Sequence, residues 1–456
     1  MTEFNSEIFS ALIIGGIYAV IFTAAELWRH FGDPAPETTR KFVHMTGGFT
    51  ALSFAYLFKS HWTVLVLVTM FFLIILISKK LHLLKSIHGV DRDTSGGIYF
   101  PVAVYLTFLA SRFIGEPDYY FLSILILAVS DSLAALIGTS YGVKKYQVNE
   151  DRKSIEGSVI FFLSTYIIIS AGLLLLTDFG RAESILAGVY IATLVTAFEA
   201  ISWKGTDNLY IPLGTIYILN KMTDTPSGEI GKQILIMYSV LLIFYIITMP
   251  KKRVSGNALF GISLLGYGAW SLIDFPWFIP VLTGYLLFTY LGFFVEERKH
   301  HYPYQIRPVF YILGVSLIWI ISGNYYYGTA EYYFTVPFLI NFSANMSILW
   351  GRKIKISSDS KILNRLKNTN VFVRSLILTL VFVPFQSAFD PRIEYVYPMI
   401  IVYIVTVLSD LTYHVLSKRI KPLSRENLMI MGFILSLVFS FSAFLINLAY
   451  YGNFLH

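Results

Sequence analysis

The first apolar run of the chain covers residues 8–27 and has the sequence IFSALIIGGIYAVIFTAAEL. A helix needs about 20 mostly apolar residues to cross a bilayer, and this run supplies them. Similar runs recur along the chain, and the last covers residues 429–450 with the sequence MIMGFILSLVFSFSAFLINLAY. About sixteen crossings fit when a short run at residues 209–220 is included. The sequence therefore predicts an all-α, polytopic integral membrane protein.

The composition excludes several other classes of protein. Of the 456 residues, 55% are hydrophobic and 14% are charged, which is too apolar for a soluble globular protein. Cysteine is absent from the sequence, so disulfides and cysteine-ligated metals are excluded. The net charge of +7 is spread over short loops between apolar runs, so we expect no nucleic-acid partner. The first run has no cationic lead-in, which predicts a retained helix and not a cleaved signal. An Arg- and Ser-rich leader is also missing, which argues against import into an organelle. We expect the protein to lie in a prokaryotic cell membrane.

Lysine and arginine gather in every second loop of the predicted topology. One set comprises Arg29, Arg40, Lys41, Lys79, Lys80, Lys85, Arg92, Lys144, Lys145, Arg152 and Lys153, and it continues into the second half of the chain. The opposite loops carry little beyond Lys59, Arg112 and Arg181. Cytoplasmic loops of membrane proteins carry the excess of cations. The pattern predicts that the first set is cytoplasmic and that both termini lie on the outer face.

A basic segment at residues 250–256, with the sequence PKKRVSG, separates two apolar blocks. It combines cations with helix-breaking residues, which is typical of a linker. We therefore predict two membrane domains, residues 1–250 and residues 251–456. Polar residues interrupt the helices more often in the first, so we expect the chemistry there. In the second we assign no function and expect no nucleotide site.

Residues 129–158 are the most informative stretch for function and have the sequence VSDSLAALIGTSYGVKKYQVNEDRKSIEGS. Asp131 lies within an apolar helix, where a carboxylate is costly enough to suggest a functional role. Ala135, Gly138 and Gly142 follow on the same helix face, which allows the close approach of a ligand. The same small residues would equally allow another helix to pack closely.

The loop after this helix carries cations and leads into the next helix. Lys144 and Lys145 precede Lys153, Ser154 and Glu156. A cation with hydroxyls and free amides at a helix N-terminus suits a nucleotide phosphate. The same groups also cap helices, so this pattern alone leaves both interpretations open.

A family resemblance rests on four ordered blocks. The first block contains Arg40, Lys41, His44 and Gly48, and the second contains Arg92, Gly96, Gly97 and Pro101. The third block contains Asp131, Ala134, Gly138, Gly142, Lys145, Lys153, Ser154, Glu156, Gly157 and Ser158. The fourth is Glu199, Gly205, Asp207, Asn208 and Pro212. Together they resemble the polyprenol kinase family, which includes dolichol kinase, phytol kinase and CTP-dependent diacylglycerol kinases. The resemblance covers about residues 10–250.

The resemblance implies transfer of a phosphoryl group from CTP to the hydroxyl of a membrane lipid alcohol. It implies a CTP-binding role for the third block, with Arg40, Lys41, Arg92, Gly96 and Asn208 as further nucleotide-binding residues. Phosphoryl transfer needs charge neutralisation and usually Mg²⁺, which prefers carboxylates and phosphate oxygens. We therefore expect Asp131, Glu199 and Asp207 to be metal ligands. Lys153 would hold a phosphate, and His44 would either do so or accept the hydroxyl proton.

Two other functions remain open at this point. A cytidylyltransferase that makes a CDP-lipid would also bring CTP and Mg²⁺ to a membrane lipid, but it would release pyrophosphate. A transporter would also place charges within membrane helices. Here the polar residues collect at one face and no repeat is evident, which favours an enzyme.

Overall fold

The computed structural model describes residues 2–81, 83–88, 95–250, 254–290, 306–326, 332–353, 370–389, 396–419 and 425–452. The chain divides into two compact units, Met1–Ile234 and Leu235–His456. This division falls inside the helix Ser227–Thr248, whereas the sequence analysis placed it at the linker that follows the helix.

The first unit consists of helices and one small β-hairpin. In chain order its elements are α1 (Thr2–Gly32), α2 (Pro36–Leu52), α3 (Phe54–Leu57), α4 (His61–Lys80), α5 (Lys85–His88), α6 (Gly96–Ile114), α7 (Pro117–Leu125), α8 (Asp131–Ser140), β1 (Lys145–Val148), β2 (Asp151–Ser154), α9 (Ile155–Leu176), α10 (Arg181–Ile201) and α11 (Asp207–Met222). The next helix, α12 (Ser227–Thr248), begins in this unit and ends in the second. A π-helical turn, Ile126–Ser130, joins α7 and α8 into one apolar span.

The regular elements of the second unit's described residues are helices. Its further helices are α13 (Gly256–Gly268), α14 (Phe275–Tyr290), α15 (Ile306–Tyr325), α16 (Tyr332–Lys353), α17 (Val371–Phe389), α18 (Val396–Arg419) and α19 (Arg425–Gly452). Helix α16 packs against α15, α17, α18 and α19 and buries several polar side chains. Asp410 on α18 accepts hydrogen bonds from Arg374 Nε at 2.7 Å and from Ser347 Oγ at 2.5 Å. The buried carboxylate is thus paired with a buried guanidinium.

Ten helices within the described ranges are long and apolar enough to cross a membrane. Their outer faces expose large apolar side chains; Leu12, Val20 and Val66 are each at least 60% exposed. Such surfaces would be unfavourable in water and suit contact with lipid. The prediction of an all-α membrane protein is therefore confirmed, while the count of about sixteen crossings stays a prediction.

The hairpin β1–β2 is the exception to the helical fold and was not predicted from the sequence. Its strands are antiparallel, with Lys145 opposite Ser154 and Val148 opposite Asp151. Asn149 in the turn has a φ of 51°, a left-handed conformation that asparagine tolerates better than most residues. The hairpin therefore fixes the positions of the cations that the sequence analysis had assigned to a loop.

Glycines bring α8 and α9 into close contact. A Cβ added at Gly138 would lie 2.9 Å from Ser154 Oγ, and one added at Gly157 would lie 2.8 Å from the Ala134 carbonyl oxygen. A Cβ at Gly142 would clash with the Gly138 carbonyl oxygen and lie 2.7 Å from both Cβ and Oγ of Ser154. These three glycines therefore allow α8, the segment after it and the start of α9 to pack closely, while their role in ligand contact stays a prediction.

This contact predicts an unequal effect of two glycine substitutions. Gly142→Ala should lower the free energy of unfolding by about 1 to 3 kcal/mol, because the added methyl group forces the elements apart. Gly15→Ala is the matched control, since a Cβ there meets no atom within 4 Å. Thermal unfolding of both variants in detergent measures the difference. Equal melting temperatures for the two variants would contradict the close contact.

Candidate functional site

A polar pocket lies in the first unit, where α2, α8, the hairpin and the ends of α9, α10 and α11 meet. Its volume is about 520 Å³, which is within the usual size of ligand sites. The charged residues that line it are Glu37, Arg40, Lys41, Asp131, Lys145, Asp151, Arg152, Lys153, Glu199 and Asp207. Five are cations and five are carboxylates. The pocket therefore combines charge of both signs within an otherwise apolar protein.

One wall of the pocket is built around the Asp131 carboxylate. Lys41 Nζ on α2 donates a hydrogen bond to Asp131 Oδ2, and both side chains are almost fully buried. His44 follows Lys41 by three residues on α2, so it lies close to the same carboxylate, with Nε2 3.3 Å from Asp131 Oδ2. The two charges of this buried ion pair neutralise each other, whereas an isolated carboxylate would be very costly in the same apolar surroundings.

The π-helical turn before Asp131 supplies a further contact to His44. His44 Nε2 lies 3.1 Å from the carbonyl oxygen of Leu127, which belongs to that turn. Because a carbonyl can only accept, this contact places a proton on Nε2. In the neutral ring Nδ1 is then the acceptor. Turns of this type are frequent at functional sites.

A second wall of the pocket is formed around Lys153. Its Nζ lies 2.8 Å from Glu199 Oε1 and 3.8 Å from Asp207 Oδ2. Although burial lowers the pKa of the Lys153 ammonium, the carboxylates of Glu199 and then Asp207 raise it above its ordinary value. Lys153 is therefore cationic at neutral pH and can attract an anion. The carboxylates beside it are held in place by the same ammonium.

Hydroxyl groups support the Glu199 carboxylate. Ser158 Oγ donates to Glu199 Oε2 at 3.3 Å, and the hydroxyl of Tyr146 lies 2.8 Å from Ser158 Oγ. Burial and then the Glu199 carboxylate raise the pKa of Tyr146 to about 12. Tyr146 is therefore neutral at physiological pH. This chain of groups links strand β1 to the start of α9 and to the end of α10.

Two cations on the hairpin differ from the others in the pocket. Arg40 is paired with Glu37, and Lys41 and Lys153 are paired as described. Lys145 and Arg152 are exposed, and neither has an ion-pair partner in the part of the chain that the structure describes. They are therefore free to contact an anion that enters the pocket.

Most of the predicted site residues line this pocket. They are Arg40, Lys41, Asp131, Gly138, Lys145, Lys153, Ser154, Gly157, Ser158, Glu199, Asp207 and Asn208. Ser154 also caps α9, since its Oγ accepts from the Gly157 amide at 3.1 Å. Ser154 therefore caps the helix and lines the pocket, while its role in binding a nucleotide phosphate stays a prediction.

Other predicted residues lie elsewhere. Glu156 accepts a hydrogen bond from the Lys144 amide at 3.1 Å, outside the pocket lining, and Gly142 packs against Ser154. His44 and Gly96 line a neighbouring space, the apolar cavity between α1, α2, α4 and α6. Arg92 lies outside the described residues.

Several pocket residues were missed by the sequence analysis. Asp151 is buried and accepts a hydrogen bond of 2.5 Å from the Lys204 amide, while Glu37, Thr139 and Arg152 complete the lining. The turn residues Asn149 and Glu150 between two short polar strands were a signal for the hairpin that brings Asp151 and Arg152 to the pocket. Glu37 gave no such signal, because it looks like an ordinary acidic residue in the first turn of a helix.

The predicted metal ligands are divided between the two walls. Asp131 is paired with Lys41, whereas Glu199 and Asp207 lie beside Lys153. The described residues contain no group of three or more histidine or acidic side chains that could hold a metal ion by themselves. Mg²⁺ usually takes only one or two carboxylates and completes its shell with phosphate oxygens and water. Glu199 and Asp207 fit that requirement.

Two known proteins resemble this chain over nearly their whole length. A phytol kinase of Synechocystis sp. is 32% identical over 200 residues, which are 44% of this chain and 85% of the phytol kinase. An uncharacterized protein of Methanocaldococcus jannaschii is 28% identical over 197 residues, which are 40% of this chain and 93% of that protein. The chain matches no protein-family model and no solved structure.

The buried pair between Lys41 and Asp131 predicts a large effect on stability. Lys41→Met leaves the carboxylate unpaired and should lower the free energy of unfolding by about 3 to 5 kcal/mol. The double variant Lys41→Met with Asp131→Asn should recover most of that loss, because neither charge remains. Thermal unfolding in detergent measures all of these variants.

Lys232→Met is the control for the loss of a lysine. Lys232 pairs with Glu229, but both side chains are more than half exposed, and such surface pairs contribute little. Its melting temperature should stay close to that of the wild type. A Lys41→Met protein as stable as Lys232→Met would contradict the role of the pair.

Proposed function

Because the chain belongs to the phytol kinase-like family, we propose that its first unit transfers a phosphoryl group from a nucleoside triphosphate to the hydroxyl of a membrane lipid alcohol. The lipid-kinase activity is suggested by the name of the related phytol kinase. The proposed donor is CTP, which follows from the resemblance of the motifs. The proposed location is the cytoplasmic face, where nucleotides are available.

The observation that carries the proposal is the polar pocket of about 520 Å³ with five cations around its carboxylates. A triphosphate is a compact, strongly negative group, and ammonium and guanidinium groups are its usual partners. Lys145 and Arg152 would contact it first, since they are exposed and unpaired among the described residues. Lys153 and Arg40 would hold the triphosphate deeper in the pocket. Part of their positive charge is neutralised by Glu199 and Glu37, with which they are paired.

Mg²⁺ is the proposed cofactor, and the carboxylates of Glu199, Asp207 and Asp131 would hold it. When bound with the nucleotide, the ion would neutralise charge on the phosphate oxygens. Lys153 lies between the carboxylates of Glu199 and Asp207 and keeps them at fixed positions before the nucleotide arrives. These carboxylates would then need little rearrangement on binding.

In the proposed reaction the lipid oxygen forms a bond to the terminal phosphorus, and the bond from that phosphorus to the bridging oxygen breaks. The nucleoside diphosphate leaves with the electrons of that bond, and the hydroxyl proton passes to a base. His44 is the candidate base through Nδ1, since Nε2 donates to the Leu127 carbonyl oxygen. Asp131, 3.3 Å from Nε2, would stabilise the imidazolium that forms.

Product analysis separates the proposed kinase from a cytidylyltransferase. Purified protein is incubated with phytol, Mg²⁺ and CTP that is labelled either at the γ-phosphate or at the α-phosphate. We expect the γ label in the lipid product and the α label in CDP. Transfer of the α label to lipid, with release of pyrophosphate, would show a cytidylyltransferase. The same assay with ATP tests the choice of donor, and no transfer of either label to any lipid alcohol would refute the proposal.

Two neighbouring lysines provide a matched test of the nucleotide site. Lys144 and Lys145 are both exposed, but only Lys145 lines the pocket. Lys145→Met should raise the KM for CTP about tenfold or more, since a hydrogen bond to a charged group contributes about 1.5 to 3 kcal/mol. Lys144→Met should leave the KM near the wild-type value. Equal KM values for the two variants would contradict the assignment of this pocket to the nucleotide.

A further inference from the structure

The apolar cavity beside the polar pocket has a volume of about 100 Å³. Its walls come from helices α1, α4 and α6 and from one face of α2. The apolar side chains that line it include Phe22, Val68, Phe71, Ile75, Phe100 and Val104. They are aromatic or aliphatic, so the cavity favours a hydrocarbon over water.

One end of this cavity is polar and adjoins the polar pocket. Arg40 and Asn208 line both spaces, so the two spaces share part of their walls. Asn208 is held by a hydrogen bond of 2.9 Å from its Nδ2 to the Gly96 carbonyl oxygen. His44 lies at the same end, with its ring 5.1 Å from the ring of Phe100 and Nε2 3.3 Å from Asp131 Oδ2. The candidate base therefore lies on the boundary between a polar and an apolar space.

We propose that this cavity binds the hydrocarbon chain of the acceptor alcohol and that it accepts one chain. The hydroxyl of the bound alcohol would lie at the end formed by Arg40, His44 and Asn208, within reach of a phosphate in the polar pocket. The inference rests on the proposed kinase function and adds the position and the width of the acceptor site.

The small size of the cavity favours a single chain. Along α4 its lining extends from Val68 to Lys79, eleven residues or about 16 Å along the helix axis. A volume of about 100 Å³ over that length is less than one extended hydrocarbon chain occupies, so side chains must move apart to admit even one chain. Two parallel acyl chains, such as those of diacylglycerol, would need a much larger displacement. An alcohol with one chain, such as phytol, requires the smaller rearrangement.

A matched pair of substitutions on α4 tests the position of the chain. Val68 is buried and lines the cavity, whereas Val66 is 60% exposed on the outer face of the same helix. Val68→Phe should lower kcat/KM for phytol at least tenfold, because the larger ring fills the cavity. The KM for CTP should stay near the wild-type value, and kcat/KM for the five-carbon alcohol 3-methylbut-2-en-1-ol should fall less than that for phytol, because the shorter chain fills less of the cavity. Val66→Phe should match the wild type on both alcohols.

Equal kinetics of Val68→Phe and Val66→Phe on phytol would overturn the inference and leave the kinase proposal standing. Val68→Ala is the variant to use if the larger ring of Val68→Phe prevents folding. It widens the cavity and should raise kcat/KM for diacylglycerol relative to phytol at least threefold, and an unchanged ratio would count against the inference. A wild-type protein that uses diacylglycerol as efficiently as phytol would overturn the one-chain part.

Photo-cross-linking gives a readout that does not depend on turnover. A phytol analogue with a diazirine on its chain should label peptides of α4 and α6 in the wild-type protein, and unlabelled phytol should compete. Labelling confined to other helices in a protein that phosphorylates phytol would refute the cavity and not the kinase. Labelling of α4 and α6 in a protein that phosphorylates no alcohol would refute the kinase and retain the chain site.

Discussion

The pairing of charges inside the membrane is the constraint on which the candidate site depends. An unpaired Asp131 would be very costly within its apolar span, so Lys41 from α2 must reach it. That contact brings α2 against α8, places His44 beside the same carboxylate and brings Arg40 to the polar pocket. The approach of these two helices forms one part of the pocket wall and the boundary with the apolar cavity.

The second unit satisfies the same constraint with different residues. Asp410 on α18 is paired with Arg374 on α17 and accepts a further hydrogen bond from Ser347 on α16. In the first unit the paired carboxylate faces a large cavity, whereas here the pair lies among buried serine, threonine and asparagine side chains. An intramembrane carboxylate therefore marks a place where helices must meet, and the space around it determines whether a ligand can also reach it.

The sequence predicted those features that depend on residues close to one another in the chain. Apolar runs predicted the membrane helices, and the cost of burial singled out Asp131 as a functional residue. The sequence could not identify the ion-pair partners in the site, because Lys41 is 90 residues from Asp131 and Lys153 is 46 residues from Glu199. The apolar cavity was also beyond prediction, since apolar helix faces look alike whether they meet lipid, another helix or a bound chain. For Gly142 the family motif suggested ligand contact and the structure shows close packing against Ser154, while its role in nucleotide binding stays a prediction.

The shared wall of Arg40 and Asn208 has a consequence for how two immiscible reactants could meet. Transfer of a hydrocarbon chain into water costs about 0.8 kcal/mol for each CH₂ group, which is prohibitive for a long alcohol. A chain that stays in the apolar cavity avoids that transfer, while a triphosphate in the adjoining pocket keeps its cations and its water. The shared wall would then be a boundary between an apolar and a polar compartment, and only the phosphoryl group would cross it.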